Sequence, residues 1–233
     1  MTTRTQGIVR AARERGETAL SEHDSKRVLA AYGVPTSREV LVKTRAEARA
    51  AAKKLGWPVV LKACSAKEAH KTEKGLIAVG LAGDRELREA FATLQKRAGT
   101  DYDGAWLVQE MVRGSREVMI GMVRDPQFGP SVCFGLGGIF TEILQDVAFR
   151  VAPLRKRDAL EMMRAIRAHR ILGAVRGMKA VDADALSHSL MAVGQIALDH
   201  PEIAAIDVNP LIVRDTRPVA VDALIVLDDG VPS

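Results

Sequence analysis

The chain has 233 residues, 47% of them hydrophobic and 27% charged, which gives room for one large domain or two small lobes and excludes a disordered, collagenous or coiled-coil chain. Its 34 basic and 29 acidic residues leave a net charge of +5. That charge suits a protein that handles phosphate-bearing ligands, and with bases and acids interleaved and neither an RNP-like aromatic run nor a Cys/His finger spacing, no nucleic acid is expected as a partner. The longest uncharged run, residues 126–141, is too short for a membrane span, and residues 1–20 lack the apolar core of a signal peptide, so no membrane and a cytoplasmic location are expected. Cys64 and Cys133 each lie in an apolar stretch and read as buried thiols of a reducing compartment.

Along the chain, residues 1–20 read as an N-terminal extension. Ser21 and Asp24 open a helix to Tyr32 that Gly33 and Pro35 stop. A strand follows over 39–42, then a helix to Gly56 announced by the capping box Thr44 and Glu47, and strands over 58–63 and 76–81. Asp84 is placed to cap a helix to Ala98, and 105–112 is strand again. Beyond it, strand-like runs at 117–123, 131–134 and 148–152 imply a second sheet. Asp158 with Glu161 caps a helix through Arg170, Asp184 caps another to about His200, and a hairpin occupies 203–227. The pattern is an α+β protein with lobes at 21–112 and 113–233 and a cleft between them. His23, His169, His188 and His200, on or at the ends of helices, read as surface or capping residues.

Several familiar chemistries are absent: there is no GxxxxGK[ST] loop, HExxH, CxxC pair or GxSxG elbow. FGLGGIF at 134–140 starts like a dinucleotide fingerprint, but Phe140 stands where the third glycine belongs, so a Rossmann unit is rejected. The hairpin is the most informative stretch. A two-residue turn at Asp215-Thr216 makes Arg214 and Arg217 partners, which sets Asn209 opposite Asp222 and puts Asp207 on their face. Three hard oxygen ligands there suit Mg2+ completed by phosphate and water. The same spacing also fits a solvated polar face with an Asn-Pro turn. Lys62 ends an apolar strand where it could reach a cleft. The loop after it gathers Lys67, His70, Lys71 and Lys74 around Ser65 and Thr72, a set that could enclose phosphate or could be an ordinary charged loop.

Lys62 in VVLKA, AHKTEKG, QEMV at 109–112 followed by Glu117, the stretch from Asp125 to Leu154, GAVRG at 173–177 and DVNPL at 207–211 together resemble the ATP-grasp subunit of the ADP-forming (NDP-forming) acyl-CoA synthetases, relatives of succinyl-CoA synthetase. The resemblance covers about residues 20–228. It implies an ATP-grasp fold with ATP or ADP between two α/β lobes. Lys62 would hold phosphates, the backbone of Glu110, Met111 and Val112 would read adenine, and Glu117 would take the ribose. Asn209 and Asp222 would bind Mg2+. Asp207 would meet a phosphohistidine, His70 would relay phosphate, and Glu142 would be a third catalytic residue. A partner is also implied: a CoA-binding α subunit with a phosphorylatable histidine, in a hetero-oligomer. The chain departs from the family around His70, with Ser65-Ala66-Lys67 before it and a single glycine, Gly75, after it. Two other readings remain: a nucleotide-sensing module that transfers nothing, and an ATP-grasp ligase joining a carboxylate to an amine.

Overall fold

The computed structural model describes residues 2–66, 75–138 and 146–228. In chain order the elements are α1 (Thr2–Glu14), α2 (Glu22–Ala31), β1 (Glu39–Val42), α3 (Arg45–Leu55), β2 (Val59–Cys64), β3 (Ile77–Leu81), α4 (Asp84–Ala98), β4 (Ala105–Glu110), β5 (Glu117–Asp125), β6 (Gly129–Leu136), β7 (Val147–Val151), α5 (Lys156–Ala165), a 3-10 turn (His169–Leu172), α6 (Ala183–Asp199), β8 (Ile203–Arg214), β9 (Arg217–Ala220) and β10 (Leu224–Leu227). Two compact units result. One holds residues 21–23 and 37–111, and the other holds the described residues of 1–20, 24–36 and 112–233. Among the described residues no helix is long and apolar enough to cross a membrane, and neither Cys64 nor Cys133 forms a disulfide.

In the unit of residues 37–111, an antiparallel sheet runs β1-β4-β2-β3. β2 is an inner strand and every residue in it is buried. Its alternation puts Val59, Leu61 and Ala63 into an apolar cluster with Ala48 and Ala52 of α3, Phe91 and Leu94 of α4, and Trp106 and Val108 of β4. Val60, Lys62 and Cys64 therefore point to the opposite face, where Lys62 is partnered by Leu107 and Ile77. The Thr44 and Glu47 capping box forms as expected. Asp84, however, does not cap α4: Gly83 occupies that position, and the Asp84 carboxylate accepts an ion pair from Arg49 at 2.8 Å.

The other unit carries an antiparallel sheet in the order β10-β8-β5-β6-β7, with β9 also on β8. One face carries Ile120, Met122, Val132, Phe134, Ile206 and Val208 into a core with Leu186, Leu190, Val193 and Ile196 of α6. α6 starts two residues earlier than a cap at Asp184 would allow, because Asp182 accepts the amide hydrogens of Asp184 and Ala185. α5 stops at Ala165, short of the expected Arg170. Residues 1–20 are built into this unit. Val9 and Ala12 of α1 are fully buried, the Leu20 amide donates to the Ile225 carbonyl and the Leu227 amide to the Thr18 carbonyl. His200 closes α6 as its C-cap, as expected, its amide donating to the Ile196 carbonyl, but it is not a surface residue. It is wholly buried and bonded to the Thr5 hydroxyl at 3.0 Å.

Candidate functional site

The β8 hairpin turns at Asp215, whose φ is 58°, and Arg214 pairs with Arg217 as the sequence predicts. The ladder continues to Leu211 opposite Ala220, lapses over 221–223, and resumes in the same register with Asp207 opposite Leu224. The register on either side sets Asn209 opposite Asp222 in that lapse. On its other side β8 slips against β5 between Val118, paired with Leu211, and Ile120, paired with Val208. Val208 and Leu211 are both fully buried, so the extra residue of this bulge lies at Asn209-Pro210 and keeps both off the core face. A bulge re-aims a side chain in this way. Asp207, next to the core residues Ile206 and Val208, points to the face that Asn209 shares.

The Asp207 carboxyl is pushed up to about 6, first by the protein packed around it and then by the charge of Asp222. The residue nevertheless stays open to solvent. Two carboxylates near enough to oppose each other's ionisation, with an amide oxygen alongside, form a hard-oxygen set that a divalent cation relieves. Mg2+ keeps most of its shell for water and phosphate oxygens, so the Asn209 and Asp222 donors fit it. Across the sheet, Asp207 is followed in one row by Gly121, Cys133 and Phe149. A Cβ on Gly121 would come within 2.6 Å of the Cys133 sulfur, so only glycine lets the row close up beside Asp207.

Glu117 joins the same neighbourhood through two glycines. The Gly137 amide donates to the Glu117 carbonyl at 2.9 Å, and the Gly138 amide points at the Asn209 side-chain oxygen at 3.4 Å. Gly138 has φ +64°, and a Cβ there would lie 2.6 Å from a Glu117 carboxylate oxygen. Glu117, Asp207, Asn209 and Asp222 are thus gathered within a single unit.

Lys62, Glu110 and Met111 belong to the other unit. Lys62 is only 3% exposed, and its Nζ lies 2.6 Å from a carboxylate oxygen of Glu22, itself 2% exposed along the side chain. The Glu110 carboxylate is held by the Arg38 amide and guanidinium, both at 2.9 Å. The amides of Glu110 and Met111 already donate to the carbonyls of Arg38 and Pro58, so of the three expected adenine-reading residues these two have committed their donors internally. Val112 is buried. His70 and Glu142 lie outside the described residues.

Sequence reasoning missed Glu22, Arg38 and the Gly137-Gly138 pair. A signal existed for the first. Glu22, Ser25, Lys26 and Leu29 follow the i, i+3, i+4, i+7 stripe of α2 that carries its buried side, and all four are buried. Lys26 spends its ammonium on the Val221 carbonyl at 3.2 Å, next to Asp222.

Residues 11–227 match the ATP-grasp domain family. The chain is 43% identical over 212 residues to the β subunit of acetate–CoA ligase [ADP-forming] I of Pyrococcus furiosus, covering 89% of this chain and 91% of that one. It is 40% identical over 208 residues to acetate–CoA ligase [ADP-forming] I of Archaeoglobus fulgidus, covering 88% of this chain but 30% of that longer one. Among solved structures, it superposes with TM-score 0.85 and 37% identity, over 96% of this chain and all of the other, on a chain of the dinucleotide-forming acetyl-coenzyme A synthetase 1 of Ca. Korarchaeum cryptofilum in complex with coenzyme A and Mg-AMPPCP, its phosphohistidine segment pointing towards the nucleotide-binding site.

Proposed function

The chain belongs to the ATP-grasp family, among the β subunits of ADP-forming acyl-CoA synthetases, and we propose that it is the nucleotide-handling subunit for the reaction acyl-CoA + ADP + phosphate ⇌ carboxylic acid + CoA + ATP. The match to a β subunit along nearly the full length of both chains supports this reading most. Its partner in the reaction is a CoA-binding α subunit carrying a phosphorylatable histidine, and phosphate passes between the two through phosphohistidine.

In this reading Asn209 and Asp222 hold Mg2+, which when bound offsets phosphate charge. Lys62 donates to phosphate oxygens as a point charge. Glu117, beside Gly138, accepts from the ribose hydroxyls, and the Val112 amide and the carbonyls of 110–112 orient adenine. Asp207 accepts from the imidazole that delivers or receives the phosphoryl group, fixing which ring nitrogen reacts. His70 and Glu142 serve the transfer. Chemistry of this type asks the protein for positioning and charge neutralisation more than for covalent work.

The experiment is incubation of the assembled complex with γ-labelled ATP and Mg2+. Acid-labile, base-stable label on histidine is the expected result. A complex that binds ATP and never acquires such label would be a sensing module, and the reading would fail.

A further inference from the structure

Lys62 and Glu22 form an ion pair out of reach of solvent, 2.6 Å apart with side chains 3% and 2% exposed. The other residues of β2 are valine, leucine, alanine and cysteine, all buried. Stability alone gives little reason for two charges in such a place, because a buried ion pair replaced by apolar side chains of like volume is often neutral or better. Burial also works against the charged form of a lysine, while a carboxylate within a few ångströms restores it. Glu22 supplies that carboxylate from the first residue of α2, where the helix amide dipoles favour negative charge. An ammonium has three donors, and the Glu22 carboxylate 2.6 Å away holds its charge at that side.

We propose that Glu22 is a positioning residue for nucleotide phosphate: its carboxylate keeps Lys62 charged and aims its ammonium, without touching the nucleotide itself. The inference rests on the reading of Lys62 as a phosphate ligand, and its test separates the two.

The test titrates ATP with Mg2+, and separately adenosine, into the full chain as wild type, E22Q, E22D and E22Q/K62M, by calorimetry. E22Q lowers ATP affinity by about tenfold or more, the size expected for weakening one charge-assisted contact, and leaves adenosine affinity unchanged. E22D, which keeps the charge but draws it back by one methylene, falls between wild type and E22Q in ATP affinity. The double variant, whose pair is removed as a unit, shows the same selective loss. If the double variant loses ATP affinity while E22Q keeps the wild-type ratio of ATP to adenosine, the role of Glu22 is overturned and that of Lys62 stands. If the double variant binds ATP as the wild type does, the Lys62 reading falls and the inference with it. Should E22Q not fold, E22D reads the same ratio: a drop supports the proposal and an unchanged ratio overturns it.

Discussion

Asn209 stands opposite Asp222 across a lapse in the β8 hairpin, with the register preserved on either side by Leu211 opposite Ala220 and Asp207 opposite Leu224. A break flanked by an unshifted ladder takes two residues out of strand pairing without losing their alignment, which is what a cation shared between strands requires. Asp222→Ala is therefore expected to remove the Mg2+ dependence of nucleotide binding while changing stability by no more than about 1 kcal/mol, since it takes away a charge and no core volume. Calorimetric titration with ADP at several Mg2+ concentrations, beside a thermal melt, checks both parts. Unchanged Mg2+ dependence would contradict the assignment.

Asp207 titrates at about 6, raised by surrounding protein and by Asp222. A carboxyl group whose folded pKa lies above its ordinary value binds its proton more tightly in the folded state, so its contribution to stability is favourable at low pH and is lost as pH rises from about 4 to about 6. Asp222→Asn removes the second cause and should lower the Asp207 pKa. NMR of the side-chain carboxyl carbon gives the value directly, and an identical titration in the variant would show that Asp222 does not act on it.

Gly138→Ala addresses Glu117. The residue sits at φ +64° with the Glu117 carboxylate 2.6 Å from where a Cβ would go. The backbone strain should cost about 1 kcal/mol. The carboxylate is the far end of a flexible side chain and should swing aside, weakening ATP and adenosine alike because both carry the ribose. Loss for ATP alone would point to phosphate and against the role of Glu117.

Lys62→Met removes the ammonium from beside the Glu22 carboxylate, and breaking one side of a buried pair costs about 3–5 kcal/mol. E22Q/K62M should recover most of that loss. Urea denaturation of wild type, K62M, E22Q and the double variant reads the difference, and additive losses would mean that the two residues act separately.

The hairpin was legible because a two-residue turn sets a register that period-2 alternation then carries along both strands. The helix at Thr44 was legible for a similar local reason, a capping box closed within three residues. Caps that depend on a choice between neighbours were not: Asp84 is drawn to Arg49, and Asp182 takes the role expected of Asp184. The pairings of Glu22 with Lys62 and of Arg38 with Glu110 join distant positions and depend on how strands and helices pack. Their only trace in the sequence is charge on a stripe that should be apolar. Residues 1–20 were misjudged because the stripe of Thr5, Val9 and Ala12, all buried, is short and set among arginines.

Mixing this chain with a CoA-binding α subunit, acetyl-CoA, ADP, phosphate and Mg2+ and following ATP formation shows whether it handles the nucleotide in the ADP-forming acyl-CoA synthetase reaction. The expected result is ATP formed in step with free CoA by the wild-type complex and lost with Asp222→Ala. No ATP from a complex that assembles and binds ADP, or ATP formed equally well by Asp222→Ala, would contradict that role.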